Sequence, residues 1–163
     1  MKPNPSHLTV PLVEAANQYP GLTFDFSKLQ SFFEVVFSVH SHRLQGELSI
    51  VFMERKGHSL LHGKYLLDYR PTDVITFPGS AEDGIAGEIC VSVDQAMDEA
   101  GKYGLTFQEE LSLYLIHGWL HLLGFDDIEE IDREIMRLEE RKILAAVKKV
   151  AAFPDFRLAQ DSR

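Results

Sequence analysis

The sequence predicts a single α+β domain in which a mixed sheet of about four strands packs with about five helices, and in which a metal site lies at the end of a core helix. Three observations carry this reading. At 163 residues, 45% of them hydrophobic, the chain is expected to form one domain that buries a core without disulfides or other staples. Runs rich in β-branched and aromatic residues are separated by runs at helical spacing, two of which open with the pattern of a capping box. Two histidines four residues apart, His117 and His121, stand inside an otherwise apolar helical run. The domain is expected to span residues 1–150, with 151–163 as a frayed tail.

In chain order, Leu8-Thr9-Val10-Pro11-Leu12-Val13 is a short apolar segment, and Pro11 argues for an edge strand or a bend. Ser27-Lys28-Leu29-Gln30 has the form of a capping box, and Leu29, Phe32, Phe33, Val36, Phe37 and His40 follow at helical spacing. His40 continues that apolar face and reads as a packed core histidine. Residues 47–54 contain L-S-I-V-F-M, a strand pattern, and a second helical run follows over about 59–69. Pro71-Thr72-Asp73 breaks that helix, Asp73 to Phe77 reads as a strand ended by Pro78-Gly79, and Gly79 to Gly84 is a turn-rich loop. The strand from Ile85 to Val93 is almost wholly apolar in its inner half, which places it near the sheet centre, and Asp94 can cap the helix behind it. Thr106-Phe107-Gln108-Glu109 is a second capping box and opens the histidine helix. A long helix follows over about 128–150, with acids in its first turns and Lys148 and Lys149 in its last, as the helix dipole prefers.

Composition narrows the function classes. Cys90 is the only cysteine, so there is no disulfide framework; it reads as a small buried residue of a strand in a reducing compartment. No stretch has the length of a membrane span, so a soluble, cytoplasmic protein is expected. The net charge of −9 argues against a chain that coats nucleic acid through counterion release alone, although Arg43, Arg55, Lys56, Lys64 and Arg70 all lie in the first half and the acids cluster between Asp126 and Glu140.

The chemistry concentrates in L-S-L-Y-L-I-H-G-W-L-H-L-L-G-F-D-D, residues 111–127. On a helix, His117 and His121 leave one face a turn apart and can reach one ion. Gly124 suits the left-handed conformation at a helix C-terminus and can turn the chain so that Asp126 or Asp127 returns beside them; Asp127 has the motif spacing. Two nitrogens and a carboxylate oxygen suit zinc with a fourth position for water. The spacing is that of the metalloprotease motif H-E-x-x-H-x-x-G-x-x-H, but Gly118 stands where those enzymes carry the glutamate base, so a peptidase of that type is incomplete here. His58 and His62 repeat the four-residue spacing with no third ligand at a suggestive offset, and read as structural.

The segment H-G-W-L-H-L-L-G-F-D-D, with T-D-V-I-T-F at 72–77 and G-E-I-C-V-S at 87–92 in that order and separation, resembles the YbeY family of bacterial endoribonucleases and rRNA maturation factors over about residues 8–150. The resemblance implies a cytoplasmic, zinc-dependent, single-strand-specific endoribonuclease that acts in 16S rRNA 3′-end maturation and 70S ribosome quality control. The family's three ligands fall on His117, His121 and Asp127, the last where most members carry a third histidine. Leu66 stands where the family usually has an arginine for RNA binding or catalysis, and His62 where it usually has an asparagine; Lys64 or Arg70 is the expected substitute for the arginine. The alternative is a ribosome assembly factor in which the metal is structural and binding is the chief activity.

Overall fold

The computed structural model describes residues 10–42 and 44–159; Leu8, Thr9 and Arg43 lie outside that range, as do residues 160–163. Eleven elements follow in order among the described residues: β1 Leu12–Asn17, β2 Leu22–Thr23, α1 Phe26–Val39, β3 Glu47–Met53, α2 Arg55–Leu66, β4 Val74–Ser80, β5 Ile85–Ser92, α3 Val93–Glu99, α4 Phe107–Leu122, α5 Glu130–Lys149 and β6 Arg157–Leu158. The expected α+β architecture is present. A four-stranded mixed sheet has the order β1-β3-β5-β4, with β1, β3 and β5 parallel and β4 antiparallel to β5.

Strand periodicity sends alternate residues to one face. Leu48, Ile50 and Phe52 of β3 and Ile89 and Val91 of β5 therefore enter one core with Leu29, Phe32, Phe33 and Val36 of α1 and Leu115, Trp119 and Leu120 of α4. Phe37 and Trp119 lie with ring centroids 4.7 Å apart, which locks α1 against α4. β5 lies inside the sheet and is buried over most of its length, as its apolar run predicts. Cys90 is buried there. Among the described residues no helix is long and apolar enough to cross a membrane.

Several local expectations are corrected. The first strand begins after Pro11 rather than containing it, because Leu12 is the first residue paired, with Glu47 of β3. α1 is capped by Asp25, whose carboxylate accepts from Lys28 N, rather than by Ser27. α2 starts at Arg55, and it is Asp94 that accepts from Arg55 N at 2.7 Å; the cap of α3 is Ser92. β4 continues through Pro78 and Gly79 to Ser80, which an edge strand permits because one side of its backbone needs no partner. His40 ends α1 and bonds Glu139 at 2.6 Å, half-buried rather than packed away. The segment after Val150 does not fray over 151–159. β6 pairs with β2 in a second, two-stranded sheet, and Phe156 is buried against Phe24 and Phe52.

Candidate metal centre

Helix α4 is fixed at both ends. At its start Thr106 accepts from Glu109 N at 3.2 Å while the Glu109 carboxylate accepts from Thr106 N, the reciprocal capping box. At its end Gly124 N donates to His121 O and Phe125 N to Leu120 O, both at 3.0 Å. That pair of bonds is a Schellman motif, and Gly124 takes the left-handed φ of +99° that the motif requires.

The turn returns Asp127 to the helix. Its Oδ2 lies 3.2 Å from His117 Nε2 and 3.5 Å from His121 Nε2, and the two Nε2 atoms are 2.9 Å apart. One atom from each of the three residues falls within 4.8 Å of the others, a group that can hold a metal ion. Asp126 instead accepts from Asp127 N at 2.7 Å and faces solvent.

The other ring nitrogens fix the tautomers. His117 Nδ1 donates to Glu140 Oε1 at 2.5 Å, and His121 Nδ1 donates to Phe125 O at 3.1 Å. With both protons at Nδ1, both Nε2 lone pairs point at each other and at a carboxylate. Such an arrangement is repulsive until a cation or proton sits among the three atoms, so the residues present fit a divalent ion with nitrogen and oxygen ligands. Burial of the His117 ring opposes protonation, but the bond to Glu140 and the charges of Asp73, Glu140 and Asp127 outweigh it, and its pKa is raised.

Glu140 sits 23 residues from His117, inside the acidic cluster that runs from Asp126, so no local spacing pairs the two. A signal was available: Glu140 lies on the same stripe of α5 as the buried Met136, Ile143 and Val147, and an acid on an apolar stripe calls for a partner.

Two clefts flank the triad. One, of about 340 Å³, is lined on the His117 side by Asp73, Tyr103, Glu110, Tyr114, Arg133 and Arg137 together with Asp127 and Glu140. Glu110 is buried, and that burial pushes its carboxyl pKa up. The other, of about 460 Å³, lies on the His121 side between α2 and β4 and includes Leu66, Tyr65, Thr76 and Phe77. Leu66 is thus beside the triad, as expected for its sequence position, and brings no charge there. Its expected substitutes do not reach either cleft: Arg70 is held by bidentate bonds to Asp68, and Lys64 lies over the Tyr65 ring. His58 is buried and bonds Cys90 O at 2.9 Å, and His62 bonds Arg70 O at 3.1 Å, so the second histidine pair is structural.

Gly118 faces the sheet. A Cβ at that position would meet Ile89 Cγ2 at 2.7 Å and Val74 Cγ2 at 3.1 Å, so the glycine lets α4 approach β4 and β5 closely. A glutamate there would be driven against Ile89 and Val74 of the sheet.

Fold and site together define an α+β protein in which two histidines of a core helix and a carboxylate from the turn after it form a donor set that could hold a metal ion. Residues 16–148 match the family model of endoribonuclease YbeY. The chain is 33% identical over 146 residues to the endoribonuclease YbeY of Protochlamydia amoebophila, covering 87% of this chain and 97% of that protein. It is 36% identical over 104 residues to that of Carboxydothermus hydrogenoformans, covering 63% and 73%. The solution structure of TM1509 from Thermotoga maritima superposes with a TM-score of 0.58 at 25% identity, covering 86% of this chain and 91% of that one. The chain belongs to the endoribonuclease YbeY family.

Proposed function

We propose that this chain is a zinc-dependent, single-strand-specific endoribonuclease that acts in the cytoplasm on the ribosome's RNA, in 16S rRNA 3′-end maturation and in ribosome quality control. One observation carries the reading: in a member of an endoribonuclease family, His117 Nε2, His121 Nε2 and Asp127 Oδ2 converge between two open clefts.

His117, His121 and Asp127 would hold the ion, which supplies polarisation of the scissile phosphate and a water of lowered pKa. Compared with a third imidazole, the Asp127 carboxylate offsets more of the cation's charge, which favours retention of the ion over acidification of water. Glu140 and the Phe125 carbonyl hold the two imidazoles in the tautomer that presents Nε2, and Glu140 adds negative charge behind His117. Gly118 supplies no base, which sets the site apart from the proteases of similar spacing.

The second reading is an assembly factor whose metal is structural; the uncharged Leu66 at the His121 cleft and the net charge of −9 favour it. Metal analysis and cleavage of a defined single-stranded RNA, with and without chelator, separate the two. The nuclease reading expects bound zinc and cleavage that chelator and His117→Ala both abolish. A cyclic phosphate product marks attack by the RNA 2′-hydroxyl, and its absence marks hydrolysis by water. Cleavage equal to that of the His117→Ala control, with ribosome binding retained, would establish the assembly factor instead.

A further inference from the structure

We propose that Arg133 and Arg137 on α5, with Tyr103 from the loop between α3 and α4 lining the same cleft, form the track that holds single-stranded RNA beside the triad. The inference rests on the reading of the triad as an RNA-directed site.

The lining of the two clefts selects this one. The cleft on the His121 side presents aromatic and aliphatic residues with Thr76 and no cationic side chain. The cleft on the His117 side holds two guanidinium groups at its exposed rim. Arg133 and Arg137 are four residues apart on one helix face, about 6 Å along the axis, a spacing on the order of the phosphate repeat of an extended strand. Arg133 Nη1 donates to Ile128 O at 2.6 Å and to Asp127 O at 3.4 Å, which places the group on the loop that carries Asp127 and leaves Nε and Nη2 without a protein partner among the described residues. Arg137 forms no ion pair among the described residues, whereas Arg70 is occupied by Asp68. A guanidinium is suited to bidentate contact with phosphate.

Tyr103 completes the recognition. It is 81% exposed on the loop between α3 and α4 and lines the same cleft. An exposed aromatic ring and two cations lining one cleft are the pairing that single-strand binders use, with bases stacked on the ring and the backbone followed by charge. The four acids of the cleft are each engaged or buried: Asp127 and Glu140 face the histidines, Asp73 accepts from Val74 N at 2.8 Å, and Glu110 is buried. Four carboxylates against two guanidinium groups leave the cleft at a net −2, which a divalent ion at the triad would neutralise, so RNA binding should require the metal.

The test uses the zinc-loaded full chain and a short, unstructured, labelled oligoribonucleotide, with binding read by fluorescence anisotropy over a salt series. Zinc content and thermal unfolding are measured for every variant. Arg137→Ala and Arg133→Ala should each weaken binding about tenfold and reduce the salt slope by about 0.7, the increment for one phosphate contact on a single strand. Arg133→Lys, which keeps the charge and the anchor to the loop, should retain most of the slope. Tyr103→Ala should weaken binding about tenfold with the slope unchanged. Arg70→Ala should match the wild type, and RNA duplex should compete poorly.

A wild-type slope in Arg137→Ala, or an equal loss in Arg70→Ala, overturns the track. Chelator-sensitive cleavage by the wild type that is indifferent to Arg137→Ala overturns it while leaving the nuclease intact. Binding that depends on Arg137 without any cleavage supports the track and refutes the nuclease. No RNA binding by the wild type refutes both.

Discussion

Glu140 offers the sharpest test of how the metal centre is held. Its carboxylate lies 2.5 Å from His117 Nδ1, and the two side chains are only 14% and 15% exposed, so little solvent screens the interaction. A carboxylate behind a ligating imidazole fixes its orientation and raises its basicity, and loss of such a partner lowers metal affinity roughly 10- to 100-fold. Glu140→Gln keeps the shape and an acceptor oxygen but removes the charge, so it should lie near the tenfold end, a loss of about 1.4 kcal/mol. Glu140→Ala also frees the ring to rotate and should approach 100-fold, about 2.7 kcal/mol. Competition for zinc against a coloured chelator near neutral pH measures both, with His117→Ala as the reference for loss of a ligand. Wild-type affinity in Glu140→Ala beside a clear loss in His117→Ala would refute the claim that Glu140 supports the centre.

The remaining expectations address the third ligand, the closing strand and the core. Asp127→Ala should lose zinc affinity far more than Asp126→Ala, and Asp127→His should keep it, as metal titration can establish; the reverse order would assign the ligand to Asp126. Phe156→Ala should cost about 3–5 kcal/mol in urea unfolding, because the ring is buried against Phe24 and Phe52, and a change within error would mean that the segment adds nothing to the fold. Burial, with a bond to Glu88, pushes the Cys90 thiol up, so it should resist iodoacetamide at neutral pH in the native protein and react once denatured; prompt native labelling would contradict its position in β5.

The sequence was most legible where one local rule sufficed. The capping box at Thr106, the apolar run of β5 and the glycine after α4 each specify geometry within a few residues, and the triad spacing follows from helix pitch plus one turn. It was least legible where an interaction is distant in the chain. The cap on α2 comes from Asp94, which local reasoning assigned to α3; the support of His117 comes from α5; and the tail is ordered by strands and rings whose sequence neighbours give no sign of each other. Gly118 lay between these cases. Its lack of a base was plain from sequence, but the reason a glycine occupies the position, the approach of Ile89 and Val74, needed the packing.

The pairing of β2 with β6 also sets an order of events. Leu22 and Thr23 have no strand partner in the small sheet until Leu158 and Arg157 have been synthesised, whereas α4, the Gly124 turn and the start of α5 form from one contiguous segment. Contacts of large sequence separation carry the greater loop-closure cost and form late, so the triad's scaffold can assemble before the ends of the fold are clasped. By the same reasoning the clasp should be among the first parts to open, and amide exchange should show Leu22 and Leu158 losing protection at a lower free energy than Leu115 or Trp119 of α4.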